Sequence, residues 1–458
     1  MIWRATEWTT SEVATAVSGC LHGPDLSVRG VSTDSRESHP GALFVALRGP
    51  RFDGHEHLRM AKENGACAAL VCPERVSSPP DLSFVHVQDT LTALGALGRA
   101  ARRRGSAKVV GLTGSNGKTS TKELLAALLA PYGPVLKTEG NLNNAVGVPL
   151  TLLGLRPEDR FAVVEMGMNA EGEIRNLARI AEPDVAVVLN VGPAHIGELG
   201  SLEAIARAKG EMFEAAPESA VRVANVDDAR VMAQLGGRGP AIRFGRAPQA
   251  DVRLQTREEL GDGRGQDVWF KIGDMEHRVF LPWSGVHHAM NLCAAVASVH
   301  ALGLRMPDEM RLSLPAVQGR GVIRRVGAWS VVDDTYNANR ASTLASLEAM
   351  AEQAQGRPMA LLLGFMAELG EHSEREHEEV GRRAAQLGVN WLAAFGAGAE
   401  PAVGAAREEG VDARFEPFDE ASLWSWIESR LDDQPWWILV KGSRASRMER
   451  FVKRLGAG

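Results

Sequence analysis

Apolar residues along this chain come in short unbroken runs separated by polar turns. "ALFVAL" (42–47) and "AALVC" (68–72) stand near the start. "KVVGL" (108–112), "FAVVE" (161–165), "VAVVLNV" (185–191) and "AVRVANV" (220–226) follow at wider spacing, each leading into a loop and then a helical pattern. Unbroken Val/Ile/Leu runs alternating with helices predict a parallel sheet covered on both faces. The theme restarts with "SVVDD" (330–334), "MALLLG" (359–364), "LAAFG" (392–396) and "WWILVKG" (436–442). "TLTALGALGRAARRR" (90–104) reads as a helix leading out of the first region.

At 458 residues the chain is too long for one hydrophobic core. The pattern divides it into three α/β domains. Residues 1–88 form a small N-terminal domain, 89–312 a central domain with a mostly parallel sheet, and 313–458 a C-terminal Rossmann-like domain.

The first central run ends in a loop with chemical meaning. "VVGLTGSNGKTS" (109–120) places three glycines ahead of Lys118, Thr119 and Ser120, which open a leucine-rich helix. The strict phosphate-loop spacing asks for Gly at 112, where this chain has Leu112, flanked by Gly111 and Gly114. Gly117-Lys118-Thr119 is intact. Inward-facing amides and a helix N-terminus favour anions. Lys118 would meet the β and γ phosphates, and the Thr119 hydroxyl a Mg²⁺ ion. A glycine-rich turn that binds nothing is the plain alternative. Strand, loop, GKT and helix in that order argue against it. A nucleoside triphosphate is therefore expected; a guanine-reading N-K-x-D element is absent, which argues against a GTPase, and a small-molecule kinase would leave the third domain without a role.

Ligands of open α/β sheets sit beyond the carboxyl ends of the strands. Glu165, Asn190, His195, Asp333, Asp334 and Lys441 all fall at such ends, which predicts one shared cleft.

Composition narrows the options. Hydrophobic residues make up 45% and charged residues 24%, with a net charge of −6. That balance argues against broad nucleic-acid binding, and "RRR" (102–104) reads as a solvated helix end. Cys20, Cys67, Cys72 and Cys293 lack metal or CxxC spacing and read as reduced thiols, most of them buried. With no signal-peptide layout at the start and no apolar run of about 18 residues, a cytoplasmic protein without a membrane span is expected.

Further segments carry a resemblance. TGSNGKTS is followed by "GNLNN" (140–144), "VEMG" (164–167), "GPAH" (192–195) and "AKGE" (208–211). In that order they resemble the Mur ligases, the ATP-dependent amide-forming enzymes of peptidoglycan synthesis. "STDSR" (32–36), "DDTYNANRAS" (333–342), "GFMAELGEHSEREHEEVG" (364–381) and "VKGSRASRMER" (440–450) extend the likeness over the whole chain. The YNAN, AELG and KGSR segments point to the MurF-type branch, which joins D-alanyl-D-alanine to UDP-N-acetylmuramoyl-tripeptide.

The resemblance implies that ATP converts a carboxylate into an acyl phosphate, which an amine then attacks, releasing ADP and phosphate. Gly114, Ser115, Asn116, Gly117, Lys118, Thr119 and Ser120 would wrap the ATP phosphates. Thr119 and Glu165 would hold one Mg²⁺. His195 would help organise a second metal. Lys209 would be carbamylated and act as a carboxylate-like ligand. Read alone, Lys209 is a surface lysine and His195 a loop histidine.

Asn291, Arg320 and Asp334 would meet the nucleotide. Asn141, Asn143 and Asn144, otherwise plain turn formers, would join the substrate cleft, with Tyr336, Asn337 and Asn339 at the hinge. Ser35, Arg36 and the rim Phe52, Asp53, Gly54 and His55 would grip the UDP end. Lys441, Ser443 and Arg444 would lie near the dipeptide. A monomer is expected. Three positions depart from the family pattern: His288 for Asn, Arg340 for Pro, and Phe365 for an acidic residue. Two other readings stay open: a sister ligase that adds a single amino acid, and a nucleotide-gated binding protein without catalysis.

Overall fold

A computed structural model describes residues 7–36, 40–76, 80–194, 196–315 and 317–456. Among the described residues the strands gather into three main sheets of five, ten and six strands, with two small two-stranded pairs beside them.

The first sheet takes Cys20–His22, Ser83–His86, Ala66–Val71, Ala42–Val45 and Val31–Ser32 in that spatial order. Helix α1 (Thr90–Arg104) follows it, starting and ending where the apolar pattern places it. Asp89 caps its start by accepting from the Thr92 N–H. Ala93, Leu94, Leu97 and Ala101 bury one stripe against the first sheet and against Leu150 and Leu153. The arginine run at its end is solvated at Arg103 and Arg104, as the sequence reading expects, and is also paired. Arg102 meets Asp184 at 2.8 Å and Arg103 meets Glu182 at 2.6 Å.

The central sheet holds β1 (Lys108–Thr113), β2 (Phe161–Glu165) and β3 (Val185–Val188) as parallel neighbours, with β1 in the middle. Its runs are apolar throughout because both faces are covered. One face packs on α2 (Lys118–Leu129) and α4 (Val286–Ala301), through Leu124, Leu125, Leu128, Leu292 and Val296. The other packs on α3 (Leu202–Ala215) and the helix Glu173–Ala181, through Ile174, Leu177, Ile205 and Met212.

Beyond Ala241–Gly245 the sheet changes character. Val252–Glu259, Gln266–Ile272 and Met275–Leu281 run antiparallel to one another. The sequence pattern predicts strand-then-helix repeats here, and the structure corrects that locally. The ribbon alternates in burial because part of its surface meets solvent.

The third sheet contains β4 (Trp329–Asp334) and β5 (Trp437–Lys441), parallel and adjacent, with Asp334 opposite Lys441. Helices α5 (Arg340–Ala354) and α6 (Ser373–Gln386) flank it. Of the four cysteines only Cys293 is buried, so the expectation that most are is corrected.

Candidate active site

A cavity of about 1220 Å³ opens at the carboxyl ends of β1, β2 and β4. The phosphate loop runs along it. Gly117 adopts φ +83°, and a Cβ there would stand 2.3 Å from Asn291 Oδ1. Conformation and close approach therefore both demand glycine. The Lys118 ammonium curls back over the loop and donates to the Gly114 and Ser115 carbonyls at 2.7 and 3.4 Å. Burial lowers its pKa from the ordinary lysine value, the Glu165 charge opposes that, and the Arg320 charge adds to it.

The segment after β3 braces the loop. Asn190 Oδ1 accepts from the Asn116 N–H at 2.9 Å and its Nδ2 donates to the Asn116 carbonyl at 3.1 Å. Ser115 Oγ pairs with Gly192, accepting from its N–H at 2.8 Å. The polar exit at Asn190 was legible in sequence; its bracing task was not.

Glu165 ends β2 beside the start of α2. Thr119 Oγ1 donates to Glu165 Oε2 at 3.0 Å, and Asn143 Nδ2 donates to Oε1 at 2.8 Å. Behind them the buried Lys122 ammonium stands 4.0 Å from Glu165 Oε2 and donates to the Thr138 carbonyl at 2.7 Å. Sequence reading missed Lys122; its place one helical turn after Lys118 is the signal that could have found it. The three asparagines differ. Asn143 meets the carboxylate, Asn144 accepts from the Val146 and Gly147 N–H groups, and Asn141 lines the cavity.

Lys209 is buried on α3, outside the cavity lining. Burial drives its pKa well below the ordinary lysine value, and the Lys118 charge adds to that. His195 lies outside the described residues. Thr119 and Glu165 offer hard oxygen donors, which suit Mg²⁺. Among the described residues no group of three or more His, Cys, Asp or Glu is placed to hold a metal ion.

The wall beside the loop is aromatic. His287, His288, Asn291 and Trp283 line it. The His288 ring lies 5.2 Å from Trp283 and 4.1 Å from His287, centroid to centroid. Burial pushes His287 down to about 4 and His288 well below its ordinary value, so both are neutral near pH 7. The Arg320 guanidinium stacks 4.1 Å over the Tyr336 ring.

The third sheet closes the cavity. Asp334 accepts from the Lys441 ammonium and, at 2.6 Å, from Ser346 Oγ. Lys441 also donates to the Asn337 carbonyl at 3.1 Å. Asn339 caps α5 and reaches the phosphate loop. Ser443 Oγ accepts from the Ala367 N–H at 2.7 Å. Arg444, 72% exposed, lies outside the cavity lining and faces Glu449 at 3.7 Å.

Two departures find a physical account. Arg340 pairs with Glu376 at 3.0 Å and Glu379 at 2.6 Å, tying α5 to α6 where proline would only have favoured the helix start. Phe365 packs against Gly396, whose added Cβ would come within 2.9 Å of its ring.

The N-terminal candidates stand apart from this cavity. Arg36 pairs with Asp34 and holds that carboxyl at about 2. The Ser35 carbonyl accepts from Asn64 Nδ2 at 2.7 Å. Phe52 is 57% exposed. His55 is turned inward between Asp53, at 2.6 Å, and the Cys72 N–H, which donates to its Nε2 at 2.9 Å. Gly54 has no room for a Cβ against the Ala46 and Leu47 backbone.

A phosphate loop, an acid–hydroxyl pair and a second α/β sheet closing over both define an ATP-dependent ligase architecture, and the chain belongs to the Mur ligase family. The Mur ligase family catalytic domain matches residues 27–102, the Mur ligase middle domain 112–299, and the Mur ligase glutamate ligase domain 319–444. The chain is 37% identical to the UDP-N-acetylmuramoyl-tripeptide–D-alanyl-D-alanine ligase of Escherichia coli (strain K12), covering 98% of each chain. With the Bacillus subtilis (strain 168) protein of the same name the identity is 34%, again over 98% of each. Its fold superposes on MurF from Acinetobacter baumannii with a TM-score of 0.89 at 32% identity, covering 99% of this chain and 100% of that one. MurF from Thermotoga maritima, solved in complex with ADP, gives 0.83 at 31% identity, over 93% and 97%.

Proposed function

We propose that this chain joins D-alanyl-D-alanine to UDP-N-acetylmuramoyl-tripeptide at the expense of ATP, through an acyl phosphate, in the cytoplasm. The carrying observation is that one cavity holds the phosphate loop, the Thr119–Glu165 pair and the third-sheet residues Asp334, Asn339 and Lys441. Relatives named for this reaction, similar over nearly the whole chain, support it.

Uncatalysed amide formation in water fails because a carboxylate is a poor electrophile and an amine near pH 7 is mostly protonated. Phosphorylation makes the carboxylate reactive. In this reading Lys118 leaves the Gly114 carbonyl for the γ phosphate and stabilises its charge in transfer. Thr119 and Glu165 would hold Mg²⁺, which would screen the phosphate oxygens. Lys209, kept neutral by its setting, adds to CO₂ through its lone pair and loses one proton. The resulting carbamate would supply an anionic ligand to the metal, a role the family resemblance shares with His195.

Residues 89–312 carry the nucleotide, with Asn291 near the base, and Arg320 meets the nucleotide from the hinge with residues 313–458. Residues 313–458 bring the acceptor and close over ATP through Tyr336, Asn337 and Asn339. Residues 1–88 grip the UDP end through Ser35, Arg36 and the Phe52–His55 turn. Closure that excludes water would shield the acyl phosphate from hydrolysis.

The test mixes protein, Mg·ATP, the UDP-linked tripeptide and D-alanyl-D-alanine, and follows phosphate and pentapeptide product. Dipeptide-dependent release of both is expected. Turnover with a single amino acid and none with the dipeptide would instead show a sister ligase.

A further inference from the structure

Lys122 has no part in the mechanism above, yet it is a buried charge. It stands on α2 beside the buried leucines Leu124, Leu125 and Leu128, and is itself only 2% exposed. It does not line the cavity. A buried ammonium gives up its hydration, and replacing a buried ion pair by apolar side chains is often neutral or stabilising. Filling space is therefore a poor reason for a lysine here.

Its partners supply a better one. Thr119 and Lys122 are three positions apart and share one face of the helix. Both face the same oxygen of Glu165, Thr119 Oγ1 at 3.0 Å and the Lys122 ammonium at 4.0 Å. Lys122 also donates to the Thr138 carbonyl at 2.7 Å. Thr138 is fully buried and is tied to β2 twice. Its N–H donates to the Val163 carbonyl at 3.0 Å, and its Oγ1 accepts from the Glu165 N–H at 2.9 Å. The segment that Lys122 grips thus supports the Glu165 backbone, while the ammonium faces the Glu165 carboxylate. The same segment leads into the turn from which Asn143 reaches Glu165 Oε1 at 2.8 Å.

A second carboxylate completes the group. Glu123 Oε1 lies 3.4 Å from the Lys122 ammonium, and the other Glu123 oxygen pairs with Lys137.

We propose that Lys122 is a positioning residue that sets the Glu165 carboxylate for the divalent cation bound with the nucleotide. The assignment rests on the nucleotide and metal part of the ligase reading above. With Glu123 sharing its charge, Lys122 steadies Glu165 without neutralising it. Groups behind a metal ligand fix the aim of that ligand, and losing one weakens the metal about tenfold to a hundredfold.

Calorimetry compares wild type with Lys122→Met and Lys122→Gln. The first removes both charge and donor; the second removes the charge and keeps an amide donor. The titrant is AMP-PNP, an ATP analogue that resists hydrolysis, with Mg²⁺ or in EDTA. Wild type should bind it more tightly with Mg²⁺. In both variants that gain should shrink about tenfold or vanish. Affinity in EDTA should stay at the wild-type value, because the phosphate loop is untouched. A merely structural role would lower both affinities together. Should Lys122→Met fail to fold, Lys122→Gln decides on the same terms. An unchanged gain in either folded variant, equal loss with and without Mg²⁺, or unfolding of both variants overturns the assignment. So does a wild type indifferent to Mg²⁺. The ligase reading fails separately: a wild type that shows the Mg²⁺ gain but releases no dipeptide-dependent phosphate loses that reading and keeps this assignment.

Discussion

Asn339 donates its side-chain amide to Asn116 Oδ1 at 2.7 Å, joining residues 223 positions apart. One end is the cap of α5 and the other is the phosphate loop, so this bond links the third sheet to the nucleotide site. Asn339→Asp keeps an oxygen to cap the helix but removes the donor and sets a negative charge beside the loop. The KM for ATP should rise about tenfold, as expected for losing one hydrogen bond near a charged ligand. Chemical denaturation should show little loss of stability. Asn339→Ala should lose the cap as well, at about 1 kcal/mol. Wild-type ATP kinetics in the Asp variant would mean that the bond has no part in nucleotide binding.

Lys118→Ala tests the loop itself. The ammonium already lies over the Gly114 carbonyl, on the wall of the cavity. Its removal takes away the positive charge meant for the transferring phosphoryl, and turnover should fall about a thousandfold or more. Circular dichroism should be unchanged, since the side chain contacts only the loop carbonyls in the hydrogen-bond network. Near-normal phosphate release by the variant would refute its role.

Much of this was legible beforehand for a physical reason. Runs such as Val109–Val110 and Val185–Val188 are apolar on both faces because helices cover both faces, and that marks parallel strands without ambiguity. The Gly117 turn is equally explicit, since its φ and its contact with Asn291 leave no room for a side chain. The ribbon 252–281 was harder. Arg253, Gln255 and Arg257 interrupt its apolar residues, and a half-exposed strand resembles loop when the reader expects buried ones. Lys122 escaped because its meaning lies in a partner far along the chain, Glu165. Its place one turn after Lys118 could flag the position, but not the partner it meets.

The histidine wall predicts a pH dependence of stability. Burial holds His287 at about 4, below its ordinary 6.5. Between those values the unfolded chain binds a proton that the folded chain refuses. Stability contributed by neutral His287 is therefore complete above about pH 6.5 and is lost as pH falls toward about 4. His288, shifted further in the same direction, adds to the trend. Because His287 is only half-buried, solvent tempers the effect to about 1–3 kcal/mol. Urea denaturation across this range should give a shallower slope for His287→Gln than for wild type. Parallel curves would show that the imidazole is solvated as a cation in the folded chain.

Lys209 offers the last test, because its setting is unusual for a lysine. It is buried on α3, and burial together with the Lys118 charge favours the neutral amine. An uncompensated ammonium there would be repelled by Lys118, whereas a carbamate would be attracted to it. Lys209→Ala should lower turnover by about a hundredfold, the scale of losing a group that tunes a metal site. Short carboxylic acids such as acetate should restore part of that loss, since a free carboxylate can enter the space the side chain leaves. Chloride at equal ionic strength should not. The rescue separates a charge role from a packing role, because a cavity left by lost packing gains nothing from an anion. Full activity in the untreated variant would refute the carbamate, and equal rescue by chloride would reduce Lys209 to a buried structural side chain.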